Sequence, residues 1–250
     1  MKSIAKGFFA VAFVIGLSGL LRADIFMKQR QHTDPMTVMG KTQPARDEVH
    51  TVWLTPQGTR NDDPARSIIF RLDKNVIYVL DHKKKTVTEI PLGKMKMPGM
   101  DAGENPEANT AMQEMMKNMM KMKVTVKATG EKKKINGWNC SKYIQVLETG
   151  MGQHQSEIWA TEDIRVDYDL ISRYSAAMMA QMPGAAAGMD DIAKEMKKVK
   201  GMPVYTVSST PMMGTVVKST TELLEWKEGK APAGILDVPA GYKTTSLDQM

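Results

Sequence analysis

Cysteine is nearly missing from this 250-residue chain. Cys140 is the only one, so no internal disulfide can form. A lone thiol needs a neighbouring base to become a nucleophile. Trp138-Asn139-Cys140-Ser141 has no histidine beside it, so Cys140 reads as a small buried hydrophobe. Aromatic residues are scarce at 6%, and the net charge of +6 is modest. Base-stacking platforms within basic clusters are therefore lacking, which argues against nucleic acid as a partner. The runs Lys83-Lys84-Lys85 and Lys132-Lys133-Lys134 read as solvated turns, with contact to membrane headgroups as the lesser alternative. The four histidines (His32, His50, His82 and His154) are scattered, and His82 is expected in an exposed hairpin turn. No Gly-x-Ser-x-Gly, His-Glu-x-x-His, P-loop or dinucleotide fingerprint occurs. The acidic pairs Asp62-Asp63 and Asp190-Asp191 read as a turn and a helix start. No catalytic residue is assigned and no cofactor is implied, so the chain is not expected to be an enzyme.

One apolar run stands out, and it lies at the N-terminus. Lys2 and Lys6 precede the uncharged stretch Gly7 to Leu21, which is too short to cross a bilayer comfortably. This pattern predicts a secretory signal over residues 1–23, cut after Ala23, and a mature protein delivered to the periplasm. No transmembrane segment is expected after cleavage. Loss of Lys2, Lys6 and Arg22 with that segment lowers the net charge from +6 to +3.

The remaining residues, 24–250, read as one domain with the 42% apolar and 25% charged content of a folded protein. Short alternating or β-branched runs at Val49 to Leu54, Ser67 to Leu72, Val76 to Leu80 and Thr86 to Ile90 predict an antiparallel meander. Further strands are expected at Lys123 to Ala128, Cys140 to Leu147, Gln153 to Ala160, Val204 to Ser209 and Thr215 to Trp226. Trp159 is expected to anchor a sheet face. Gly130 to Gly137 reads as a charged turn and residues 235–242 as a last extended piece. Between these strands the period changes. Asn105-Pro106-Glu107 forms a good helix start, followed by apolar residues at helical spacing to about residue 122. A second helical region spans about 167–200. The fold class predicted is α+β: a curved antiparallel sheet, a half-barrel, with Met-rich helices covering its concave face.

Methionine is the excess that a function must explain, at 23 residues. Leu and Ile are absent from residues 105–123, where Met supplies most of the stripe. Met side chains are flexible and polarizable, suited to surfaces that repack around varied apolar partners. Met112, Met115, Met116, Met119, Met178 and Met182 are therefore the candidate lining of a pocket for a lipid, a lipoprotein or another apolar ligand. Packing of the same stripes into the core explains the pattern equally well. A second reading takes the thioethers of Met95, Met97 and Met100 as a Cu(I) site. A third makes the chain a structural envelope protein whose helices dock another protein.

Several blocks together resemble a known family. They are Ser67-Ile68-Ile69-Phe70-Arg71-Leu72-Asp73 with Val76-Ile77-Tyr78-Val79-Leu80-Asp81, then Lys134-Ile135-Asn136-Gly137-Trp138-Asn139-Cys140-Ser141-Lys142-Tyr143, Glu157-Ile158-Trp159-Ala160, Gly201-Met202-Pro203-Val204, and Val238-Pro239-Ala240-Gly241-Tyr242. Their order resembles a family of uncharacterised exported bacterial proteins, a domain of unknown function. That family is similar in architecture to lipoprotein carriers of the LolA, LolB and LppX type. The resemblance implies an incomplete antiparallel barrel that carries acyl chains, and it implies no catalytic residue.

Overall fold

Among the described residues a twelve-stranded sheet organises the chain, and near its centre lies the first described strand. The computed structural model describes residues 24–38, 41–92, 123–149, 152–165, 189–212 and 215–246. Strand β1 (Asp24–Thr33) pairs antiparallel with β4 (Arg46–Thr55) on one side and β13 (Thr215–Gly229) on the other. From β4 a meander runs outward through β5 (Gly58–Asp62), β6 (Arg66–Arg71), β7 (Val76–Asp81) and β8 (Thr86–Pro91). From β13 a second runs through β12 (Met202–Met212), β11 (Gly152–Thr161) and β10 (Trp138–Thr149) to β9 (Lys123–Ile135) at the edge. The opposite edge is β14 (Lys243–Thr245), the one parallel partner, on β8. A small hairpin, β2 (Met36–Val38) with β3 (Lys41–Gln43), projects between β1 and β4.

This architecture corrects the expected α+β class. Among the described residues the only helix is α1 (Met189–Met196), eight residues long. Over the described residues the protein is a large, mostly β sheet, and no helix beyond the short α1 packs on it there. The expected helix at 105–122 and residues 167–188 of the second helical region lie outside the described residues. α1 falls within the second helical region expected at about 167–200, and its Ile192, with Val199 just beyond it, packs on Val124, Val126, Tyr143 and Ile158. Helical periodicity reports an apolar stripe but not how much sheet that stripe can cover.

Each face of the first meander carries a buried core, closed by different means. On one face the register aligns Ile25, Leu54, Phe70 and Ile77 into a core closed by Leu92. On the other, Ile69, Leu80 and Val87 are sealed by Ile235, Leu236, Val238 and Tyr242 from the C-terminal segment. Arg60 Nη1 donates to the Ile235 carbonyl (3.2 Å), and Arg71 Nη1 pairs with Asp237 (3.2 Å). The segment expected to be extended at 235–242 is instead a run of turns that plugs this face.

The Lys132-Lys133-Lys134 run lies in β9, not in a turn. The hairpin turn is only Asn136-Gly137, at φ 47° and 91°, the left-handed pair that two-residue hairpins require. Upstream, β9 carries an irregularity opposite Ser141–Tyr143, with Gly130 at φ 85°. The exposed lysines discourage pairing of this edge with another chain. α1 guards the edge further along, where the Val126 N–H donates to Glu195 Oε2 at 2.9 Å.

The sheet is strongly curled, and Asn136 shows it. Its Nδ2 donates to the Leu223 carbonyl (2.9 Å) and to Glu222 Oε1 (3.0 Å) on β13. In the sheet order β13 lies three strands from β10, about 14 Å away if the sheet were flat at about 4.8 Å per strand. The β9–β10 turn therefore folds back onto β13. Met27 and Trp226 pack against the cores of both halves and join them inside the curl. Asn136→Gly keeps the turn's backbone freedom and removes both bonds. Urea unfolding should show a loss of about 1–2 kcal/mol, with the midpoint unchanged if the contact is idle.

Glu222 also receives Arg30, whose Nη2 lies 2.5 Å from Oε2. Arg30 first and Asn136 second hold the Glu222 carboxyl below its ordinary value of 4.5. The sign follows from linkage. A carboxyl depressed in the folded state contributes stability above its unfolded value and loses it as pH falls through its folded value. Below about pH 4.5, wild type should lose stability more steeply than Glu222→Gln when melts are compared across pH.

Candidate functional site

The apolar face of the first half offers the most distinctive surface. Along one register line lie Trp226, Met27, Val52, Asn61, Ile68, Val79 and Thr88, one per strand from β13 to β8. Strand alternation places this line on the same face as the buried line Ile25, Leu54, Phe70 and Ile77, two residues away. The second line is sealed. The first is not: Met27, Val52, Val79 and Trp226 are half-buried and Ile68 is 44% exposed. One step further the face turns polar, with Gln29 opposite His50. His50 Nε2 is buried without a hydrogen-bond partner among the described residues, the nearest carboxylate oxygen (on Glu48) being 3.7 Å away.

A second cluster has the residue types of a hydrolase but not the arrangement. Ser67 Oγ lies 2.9 Å from His82 Nε2, and His82 Nδ1 lies 2.6 Å from the Tyr242 hydroxyl. Ser67 is fully buried and donates to Asp62, which is itself gripped by Arg60 Nε at 2.8 Å. A serine whose proton is held by a carboxylate, with no route to solvent, cannot meet a substrate carbonyl. This network pins the C-terminal segment to the sheet. His82, expected to be simply exposed, is thus a structural tie; no local signal distinguishes it, because its partners lie 15 and 160 residues away.

The third cluster lies on the second meander. Lys133 Nζ sits 4.2 Å from the centre of the Trp159 ring, and Trp159 Nε1 donates to Glu157 Oε1 at 2.8 Å. Lys142 bridges Glu157 (3.1 Å) and Glu131 (3.2 Å). The Trp159 N–H, followed by Lys142, holds the Glu157 carboxyl below its ordinary range. Trp159 is buried, as expected of a sheet anchor. Cys140 is 2% exposed, and burial pushes its thiol up, away from the reactive thiolate.

The candidate pocket residues Met112, Met115, Met116, Met119, Met178 and Met182 lie outside the described residues. So do Met95, Met97 and Met100 of the copper reading. Among the described residues no group of three or more His, Cys, Asp or Glu side chains is placed to hold a metal ion. Nor does any described helix have the length and apolarity to cross a membrane.

These features define a class: a curled, nearly all-antiparallel sheet with one apolar face that is only partly covered among the described residues. The chain belongs to the DUF4412 family, a domain of unknown function, which matches residues 18–242. No curated protein matches it.

Proposed function

We propose that this protein is an exported, non-catalytic carrier or binder of an apolar ligand, a lipid or a lipid-bearing protein, acting in the periplasm. The observation that carries this reading is the register line of Met27, Val52, Ile68, Val79 and Trp226. It is a largely apolar row inside a curled sheet, interrupted by Asn61, with Ile68 44% exposed where a packed core would bury it. An acyl chain laid along such a row gains about 0.8 kcal/mol for each methylene removed from water. The buried Ser67–His82 pair supports a role without chemistry, and the similarity in architecture between the family those blocks resemble and LolA-type carriers points the same way. Met112, Met115, Met116, Met119, Met178 and Met182 are proposed to complete the ligand's surroundings.

Native mass spectrometry of protein taken from the periplasm should show a co-purifying lipid. Ile68→Asp, at an exposed position, should reduce the lipid-bound fraction about tenfold or more with the circular dichroism unchanged, since a desolvated charge would face the chain. Lipid-free spectra for the wild-type protein across repeated preparations would refute the reading.

A further inference from the structure

We propose that the apolar row takes a ligand whose hydrocarbon arms are joined through a secondary amide, and that Asn61 reads that amide. The inference rests on the carrier reading and narrows it. Asn61 is the polar member of a row whose other places from β13 to β7 are Trp226, Met27, Val52, Ile68 and Val79. Its register partners are Val52 on β4 and Ile68 on β6, and neither side chain can hydrogen-bond. The carboxamide is exposed and has no hydrogen-bond partner among the described residues. Asn is a poor strand former, so propensity does not explain its place inside β5. It stands three strands from Trp226 and two from Val79, about 14 Å and 10 Å on a flat sheet at about 4.8 Å per strand. The polar linkage of a ligand lying on the row therefore falls within the molecule, with hydrocarbon to either side.

While exposed, the carboxamide is satisfied by solvent. A ligand that covers the row takes the solvent away, and Nδ2 then needs an acceptor and Oδ1 a donor. Each group left unpaired costs affinity. A hydrocarbon answers neither. An ester carbonyl accepts from Nδ2 but offers nothing to Oδ1. A secondary amide answers both, its carbonyl accepting and its N–H donating. Charge narrows the class further. On the polar side of the row Glu48 Oε2 lies 3.7 Å from His50 Nε2, and Asp63 accepts the N–H groups of Ala65 (2.7 Å) and Arg66 (2.8 Å). The cations there, Arg46 and Arg66, are paired with these same two acids. A phosphate or carboxylate placed at Asn61 would face both acids, and an ammonium would find both engaged. A neutral linkage meets neither penalty.

Displacement of the fluorescent apolar probe N-phenyl-1-naphthylamine from the full chain tests this, with N-hexyloctanamide and hexyl octanoate as competitors of equal length. An amide is costlier than an ester to take out of water, so the quantity read is the ratio of the two affinities. Asn61→Val puts a strong strand former at an exposed place and should keep the circular dichroism unchanged. In that variant the amide-to-ester affinity ratio should fall about tenfold from its wild-type value, and Asn61→Leu should lower it alike. The ester itself should bind the variants at least as tightly as wild type, because the row becomes apolar throughout. Displacement by both competitors with the same ratio in wild type and variants overturns the amide reading and leaves the carrier reading standing. If neither the probe nor either competitor binds the wild-type protein, the carrier reading falls and this inference falls with it.

Discussion

Gly201→Ala is expected to be among the most damaging single substitutions in this chain. A Cβ at residue 201 would stand 2.0 Å from the Thr161 carbonyl oxygen, 2.4 Å from its carbon and 2.8 Å from the Glu162 nitrogen. All three are backbone atoms at the end of β11, and they cannot swing aside as a side-chain tip can. The φ of +84° adds the strain of a left-handed alanine. Gly201 also leads into β12, whose Met202 pairs with Thr161, and it follows Val199, which seals the α1 side of the core. Relief of the clash must pull one of these contacts apart. The expected cost exceeds about 3 kcal/mol and lowers the melting midpoint by about 10 °C. Gly137→Ala is the control: its φ is +91°, but nothing lies within 4 Å of the new Cβ. That variant should lose only about 1 kcal/mol, the backbone share. Equal losses in the two thermal melts would show that the Thr161 contact gives way freely.

Removal of residues 231–250 should abolish stable folding, although it deletes only the strand β14, three residues long. Ile69 and Leu80 are fully buried, and with Val87 they are covered by Ile235, Leu236, Val238 and Tyr242. Truncation would turn that face into an open apolar patch and free the β8 edge, both routes to aggregation. A milder form of the test keeps the chain intact. Leu236→Ala deletes the side chain seated on Ile69 and Leu80 and should cost about 2–4 kcal/mol by urea titration. Gly58 marks the tightness of that seat, since a Cβ there would stand 2.8 Å from Leu236 Cδ1. A truncated protein that purifies as a monomer with wild-type stability would mean that the segment is an accessory and not part of the core.

Some of this architecture was written locally. Val76–Leu80 announces itself as a strand because Val76, Ile77 and Leu80 are apolar on both sides of the pleat, and all three are buried. Asn136-Gly137 is a hairpin signal that could have replaced the broader turn expected at Gly130 to Gly137, had its flanks been read as strand. Exposed lysines within β9 obscured that reading, because a charged run on an edge strand looks the same in sequence as a charged loop. β1 was harder still. Its residues Lys28, Gln29, Arg30, Gln31 and His32 carry no strand signature. Yet it is the seam of the molecule, because β4 and β13 supply its hydrogen bonds.

The sequence by itself determined the meander over residues 66–91 and the burial of Trp159 and Cys140, since each depends on the character of a few neighbouring residues. Tertiary structure alone decided that β1 joins the two meanders, that the sheet curls until Asn136 touches β13, and that the C-terminal segment forms a plug. These depend on which distant groups satisfy backbone hydrogen bonds and exclude water, and no local stretch of chain records those partners.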